Sequence, residues 1–158
     1  MSEEPIQLDL ARLADYRLTV LVGELAAPDG LTRVRIDGTG RIEAAQVFAD
    51  VLVDAQASTA EINRDGGRVT DRALGVLSRE ETVDIMTQAL RIPWTEPVSS
   101  RAGVPPEAVT NWTFITAAGQ AHTLRVWLRD AEQDPIVGPV LRKVASHVHR
   151  ITNGRIFV

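Results

Sequence analysis

The chain has 158 residues, 44% apolar and 24% charged, which fits one ordinary globular domain and excludes wholesale disorder. It contains no cysteine, so disulfides, thiolate metal sites and cysteine nucleophiles are excluded. The formal net charge of −4, with a pI near 5.4, argues against a broad nucleic-acid-binding face.

Residues 1–15 read as a polar lead-in to a single domain spanning 1–158, with Leu8, Leu10 and Leu13 able to dock as one apolar turn. The acidic start Met1-Ser2-Glu3-Glu4-Pro5 lacks the basic-then-apolar order of a signal peptide. No apolar run nears the roughly 20 residues needed to span a bilayer. The expectation is a cytoplasmic protein without membrane association. Lys143 is the only lysine among 17 basic residues, a skew read as high-GC coding in a bacterial host.

From Tyr16 to Leu25 the run YRLTVLVGEL has strong β character, with Leu18, Val20 and Val22 on one face. Pro28-Asp29-Gly30 marks a turn. In the strand that follows, Val34 and Ile36 face inward and Arg33 and Arg35 outward. Asp37-Gly38-Thr39-Gly40 is a second turn signal, so two hairpins in series imply an antiparallel sheet. Residues 43–57 fit two patterns. Ala44, Val47, Phe48, Val51, Leu52 and Ala55 make a helical stripe, while Val47, Ala49, Val51 and Val53 alternate as a strand does. The preceding turn favours at least a short returning strand from Arg41. Asp65-Gly66-Gly67 is a turn between short strands near 58–63 and 68–74.

Ser78-Arg79-Glu80-Glu81 is a capping box, and Val83, Met86, Ala89 and Leu90 form the buried stripe of the helix it opens. Pro93 ends that helix near Arg91, and the Pro-rich stretch 93–107 is an extended loop. Val109–Thr116 and His122–Arg129 form a third hairpin. A second helix runs from about 139, after Gly138-Pro139, to 152, where Asn153-Gly154 stops it. The last four residues, RIFV, could add an edge strand. These elements define an α+β domain: a curved antiparallel sheet of five to seven strands, with helices at about 79–91 and 139–152 packed on one face.

Chemistry-bearing motifs are sparse. His147 and His149 stand about 200° apart on a helix and cannot chelate one ion, so both read as solvated. Asp50 and Asp54 could share a helical face, but no third ligand accompanies them. Asp37-Gly38-Thr39-Gly40 is a turn, not the D-T-G of aspartic proteases, and as a phosphate cradle it lacks the βαβ context. Neither G-x-S-x-G nor G-x-x-x-x-G-K-[ST] occurs. Asn111-Trp112-Thr113 matches a glycosylation sequon that a cytoplasmic protein does not use. The expectation is therefore no catalytic residue, no metal and no cofactor.

One feature is positive. If the third hairpin turns at Gly119-Gln120 or Ala118-Gly119, Trp112, Phe114, Arg125 and Trp127 share one face, with Thr110, Thr116 and Thr123. Val109, Thr113, Ile115, His122, Leu124, Val126 and Leu128 take the other. Trp and Arg dominate binding hot spots, so Trp112, Phe114, Arg125 and Trp127 are the candidate binding residues. The leading expectation is a non-catalytic protein–protein interaction module, a homodimer or a subunit of a larger bacterial assembly. It would meet a protein partner or a second copy of itself, with no nucleic acid and no membrane; Arg33, Arg35 and Arg41 lie near one hairpin, but nearby acids and the net charge argue against a nucleic-acid role. The alternative is a small-molecule-binding domain or cryptic enzyme with a pocket between sheet and helices, where His122, Arg125 and Glu24 are the polar groups. An enclosed concave pocket favours the second reading and a flat apolar patch the first.

Overall fold

The computed structural model describes residues 8–23, 30–48, 68–94, 109–154 and Ile156. Six strands form one sheet: β1 Arg17–Gly23, β2 Leu31–Asp37, β3 Arg41–Phe48, β4 Arg68–Val76, β5 Val109–Ile115 and β6 Ala121–Trp127. Its order is β4-β3-β2-β1-β5-β6, all pairs are antiparallel, and it is not closed into a barrel. The first four strands are a meander. The chain then leaves the β4 edge, crosses through helix α1 (Arg79–Leu90), and returns as β5 beside β1. Two further helices follow β6: α2 (Leu128–Gln133) and α3 (Val137–Thr152).

Strand alternation builds the core. Leu18 and Val20 of β1 lie opposite Ile36 and Val34 of β2, and opposite Phe114 and Trp112 of β5. All six are essentially inaccessible, as are Ile42 and Ala44 of β3. Ile85, Met86 and Ala89 from α1, with Val140, Val144 and Val148 from α3, join the same cluster. Both long helices therefore cover one sheet face. The α+β class and the strand number agree with the sequence pattern, and the inward and outward assignments of β1 and β2 hold.

The capping box at Ser78 is complete: Ser78 Oγ accepts from the Glu81 amide at 3.1 Å, and Glu81 Oε1 accepts from the Ser78 amide at 2.9 Å. Arg150 of α3 donates to the other Glu81 oxygen at 2.8 Å, so the same carboxylate ties α1 to α3. These bonds hold the Glu81 carboxyl at about 2, against an ordinary 4.5; the Arg150 hydrogen bond dominates and the Ser78 backbone follows. His147 lies 3.6 Å from that carboxylate and is mostly covered, which corrects its reading as a solvated residue. Burial lowers its pKa, outweighing the opposing pull of Glu81, so the ring is neutral near pH 7. His149 is exposed.

Three local readings change. α3 begins at Val137, not 139, because the Asp134 carboxylate accepts from the amides of Ile136 and Val137, both at 2.8 Å. Pro139 is then in the first turn, where no intrahelical amide is needed. β6 ends at Trp127, and α2 takes up Leu128–Gln133, which carried no sequence signal. Gly138 permits the α2–α3 junction: an added Cβ would lie 2.8 Å from the Glu132 carbonyl oxygen. In the ambiguous stretch, β3 resolves 43–48 as strand, since Ala44 pairs with Val34 and Ala73. Residues 49–57, with Asp50 and Asp54, the strand near 58–63, the turn at 65–67 and the loop from 95 lie outside the described residues. Ile156 is buried in a bend.

The lead-in docks through two of its three leucines, with Leu8 partly buried against the core. A 3-10 turn over Leu10–Asp15 buries Leu13, while Leu10 stays exposed. Gly38 lets it approach: a Cβ there would stand 1.5 Å from the Leu13 carbonyl oxygen, so only glycine fits. Gly38 also donates its amide to the Tyr16 carbonyl at 2.8 Å.

Candidate functional site

The β5–β6 hairpin does not turn through two residues. Thr116 donates its amide to the Gln120 carbonyl, and Gly119 donates to the Thr116 carbonyl, both at 2.9 Å. Gly119 adopts φ +83°. This is a three-residue loop, a tight turn followed by a left-handed glycine. One extra loop residue shifts the register by one and moves all of β6 to the opposite face relative to β5.

Trp112 consequently faces Leu124, Phe114 faces His122, Asn111 faces Arg125 and Val109 faces Trp127. The expected shared face is thus divided. Trp112 and Phe114 lie in the core at 1% and 0% exposure. Trp112 Nε1 donates to Thr110 Oγ1, and that hydroxyl donates to the Val126 carbonyl, both at 2.8 Å, so the buried polar atoms are satisfied. Arg125 is exposed and Trp127 half-buried, both on the open side of the sheet. Trp112, Phe114, Arg125 and Trp127 do not form one surface.

His122 lies on the helix-covered face, as the strand pattern has it, and the register sets Phe114 opposite it, beside a concavity that the sequence did not locate. A cleft of about 590 Å³ opens where the 3-10 turn, the end of α1 and the tip of the β5–β6 hairpin meet. Four rings form a continuous stack along it. Tyr16 and Phe114 have centroids 5.9 Å apart, Phe114 and Trp94 5.9 Å at an interplanar angle of 7°, and Trp94 and His122 6.1 Å at 29°. Tyr16 and Phe114 are buried, whereas Trp94 and His122 keep part of their surface open.

Local hydrogen bonds hold the frame. Trp94 Nε1 donates to the Ala89 carbonyl at 3.1 Å, which the Ile92 amide also meets at 3.2 Å, so the indole is fixed to the last turn of α1. Tyr16 Oη accepts from the Asp9 amide at 3.1 Å. Arg12 reaches across and donates to the Ala117 carbonyl in the hairpin loop, so the lead-in is clamped to the hairpin tip. His122 has no hydrogen-bond partner among the described residues; its contact is the stack on Trp94. Gln120 and Thr116 complete the polar rim.

Of the polar groups expected around a pocket, only His122 is at this cleft. Arg125 is on the far side of the sheet and Glu24 lies outside the described residues. Trp94 and Tyr16 were missed. The available signal was Trp94 itself, a large aromatic directly after the helix stop at Pro93, where an indole donor can satisfy a helix-end carbonyl. No group of three or more His, Asp or Glu among the described residues could hold a metal ion. No helix among them is long and apolar enough to cross a membrane. The chain matches no protein-family model and no curated protein sequence.

Proposed function

We propose that this protein is a small-molecule-binding domain whose ligand is a flat, largely apolar ring system. The observation that carries the reading is the Tyr16–Phe114–Trp94–His122 stack along a 590 Å³ cleft. That volume lies within the range of roughly 300–1,000 Å³ common to ligand sites. A ring inserted at the open end of the stack extends it through Trp94 and His122, at centroid spacings favourable for aromatic pairs. A hydrogen-bonding substituent meets His122, which has no hydrogen-bond partner among the described residues, or the Gln120 side chain. Among the described residues the cleft holds no nucleophile beside an oriented base, so binding rather than turnover is the reading. A screen of planar aromatic compounds by thermal shift tests it. Several members should raise the melting temperature saturably; a screen in which none does overturns the proposal.

A non-catalytic protein–protein interaction module, acting as a homodimer or as a subunit of an assembly, is the second reading. Its support is the β4 edge, where Leu74 and Val76 are 65% and 78% exposed. A terminal strand with outward apolar side chains invites pairing by another chain. Light scattering on the wild type and on Leu74→Lys tests it. The wild type should be larger than a monomer and the variant monomeric; a monomeric wild type removes this reading.

A further inference from the structure

The sheet face opposite the helices carries an arginine cluster that the cleft does not use. Cross-strand neighbours share a face, which puts Arg17 of β1, Arg33 and Arg35 of β2, Arg41 of β3 and Arg72 of β4 on this open side. Arg17, Arg35 and Arg41 line one depression of about 300 Å³, together with Thr19, Asp37 and Glu43. Three guanidinium groups outnumber the two carboxylates of the depression, and the hydrogen bonds of both carboxylates go to groups other than these guanidiniums. Asp37 Oδ1 accepts from the amides of Thr39 and Arg41 and from the Thr39 hydroxyl, closing its own turn. Glu43 bonds Arg33 at 3.1 Å and lies 3.9 Å from Arg72. Arg17, Arg35 and Arg41 have no ion-pair partner among the described residues.

We propose that this depression is a binding site for a phosphate-type oxyanion, free or as the head of a small monoester. Guanidinium groups present planar forks of N–H donors that match the oxygens of such an anion, and the three supply donors from three adjacent strands. The environment of Arg35 points the same way. Burial lowers its pKa from the ordinary arginine value, Arg33 and Arg72 add repulsion, and Glu43 only partly opposes them. An anion relieves that repulsion and replaces lost hydration. The Thr19 hydroxyl adds a neutral donor on the same wall. The site is independent of the aromatic cleft, which lies on the helix-covered side.

Calorimetric titration of the full chain with inorganic phosphate at low ionic strength tests the proposal, with sodium chloride at matched ionic strength as the reference. Saturable one-to-one binding is expected. It should weaken about tenfold or more in Arg35→Gln and in Arg41→Gln, as loss of a hydrogen bond between charged groups implies. Arg125→Gln, on β6 and away from the depression, should bind as the wild type does. A parallel titration with glycerol 3-phosphate separates the two sources: equal affinity assigns the phosphate alone, and tighter binding assigns the monoester. A response reproduced by sodium chloride overturns the proposal. So does binding that survives Arg35→Gln and Arg41→Gln unchanged, or falls equally in Arg125→Gln. Circular dichroism of each variant confirms the fold, and a variant that unfolds is replaced by Arg→Lys at the same position, which keeps charge but loses the fork.

Discussion

Comparing Trp112 with Trp127 tests the register of the β5–β6 hairpin, because the three-residue loop turns Trp127 to the open side while pairing with β1 buries Trp112. Its indole is 1% exposed and is linked through Thr110 to the Val126 carbonyl. Trp112→Ala leaves a large cavity and should cost about 3–5 kcal/mol. That approaches the whole stability of a small domain, commonly about 5–15 kcal/mol, so Trp112→Phe gives the finer reading. It removes the bond to Thr110, worth about 1 kcal/mol, and part of the ring volume, worth about another 1–2 kcal/mol. Thr110 keeps its own bond to Val126, so no buried donor is orphaned. Trp127→Phe, at a half-buried position on the open side, should cost less than about 1 kcal/mol. Urea unfolding followed by far-UV circular dichroism measures both. Equal costs, or a larger cost at Trp127, would refute the assigned faces and restore a shared surface for the two tryptophans.

Ser78→Ala should destabilise the chain by about 0.5–2 kcal/mol in equilibrium unfolding, since it removes the cap of α1; no change would mean the capping box contributes nothing. The Glu81 carboxyl titrates at about 2 in the folded chain, below its ordinary 4.5. Its stabilisation is therefore complete above about pH 4.5 and is lost as pH falls towards 2. Glu81→Gln should lack that part of the acid dependence, and an acid-unfolding profile parallel to the wild type would contradict the assignment. Gly38→Ala should cost about 1–3 kcal/mol by forcing the Leu13 carbonyl away, and should raise protease sensitivity around the 3-10 turn. Wild-type sensitivity there would show that the lead-in does not depend on this contact.

The parts of the fold that the sequence revealed are those governed by short-range pattern. Alternation of Leu18, Val20 and Val22 against Val34 and Ile36 specified two strands and their inner face, and Ser78 with Glu81 marked the start of α1. The aromatic face failed for a reason of parity. Ala117, Ala118, Gly119 and Gln120 accommodate two-residue and three-residue loops alike, and one residue of slip exchanges every side chain of β6 between faces. The Gly119 left-handed position is the only local trace of the longer loop. The cleft was illegible because its rings come from Tyr16, Trp94, Phe114 and His122, which only tertiary packing brings together. α2 escaped notice because Leu128–Gln133 is six residues long, too short to display a helical period.

The tryptophans offer the most direct test of the cleft, since the chain has three and each occupies a different environment. Trp94 is in the stack, Trp112 is in the core, and Trp127 is on the opposite side of the sheet. Titration with 1-naphthol, followed by the three indole Nε1–H resonances in NMR spectra, reads all of them in one experiment. The account predicts saturable movement of the Trp94 resonance while those of Trp112 and Trp127 remain in place, with the effect lost in Phe114→Leu or His122→Ala. Movement of Trp127 alone, or a titration in which no indole resonance moves, would contradict it.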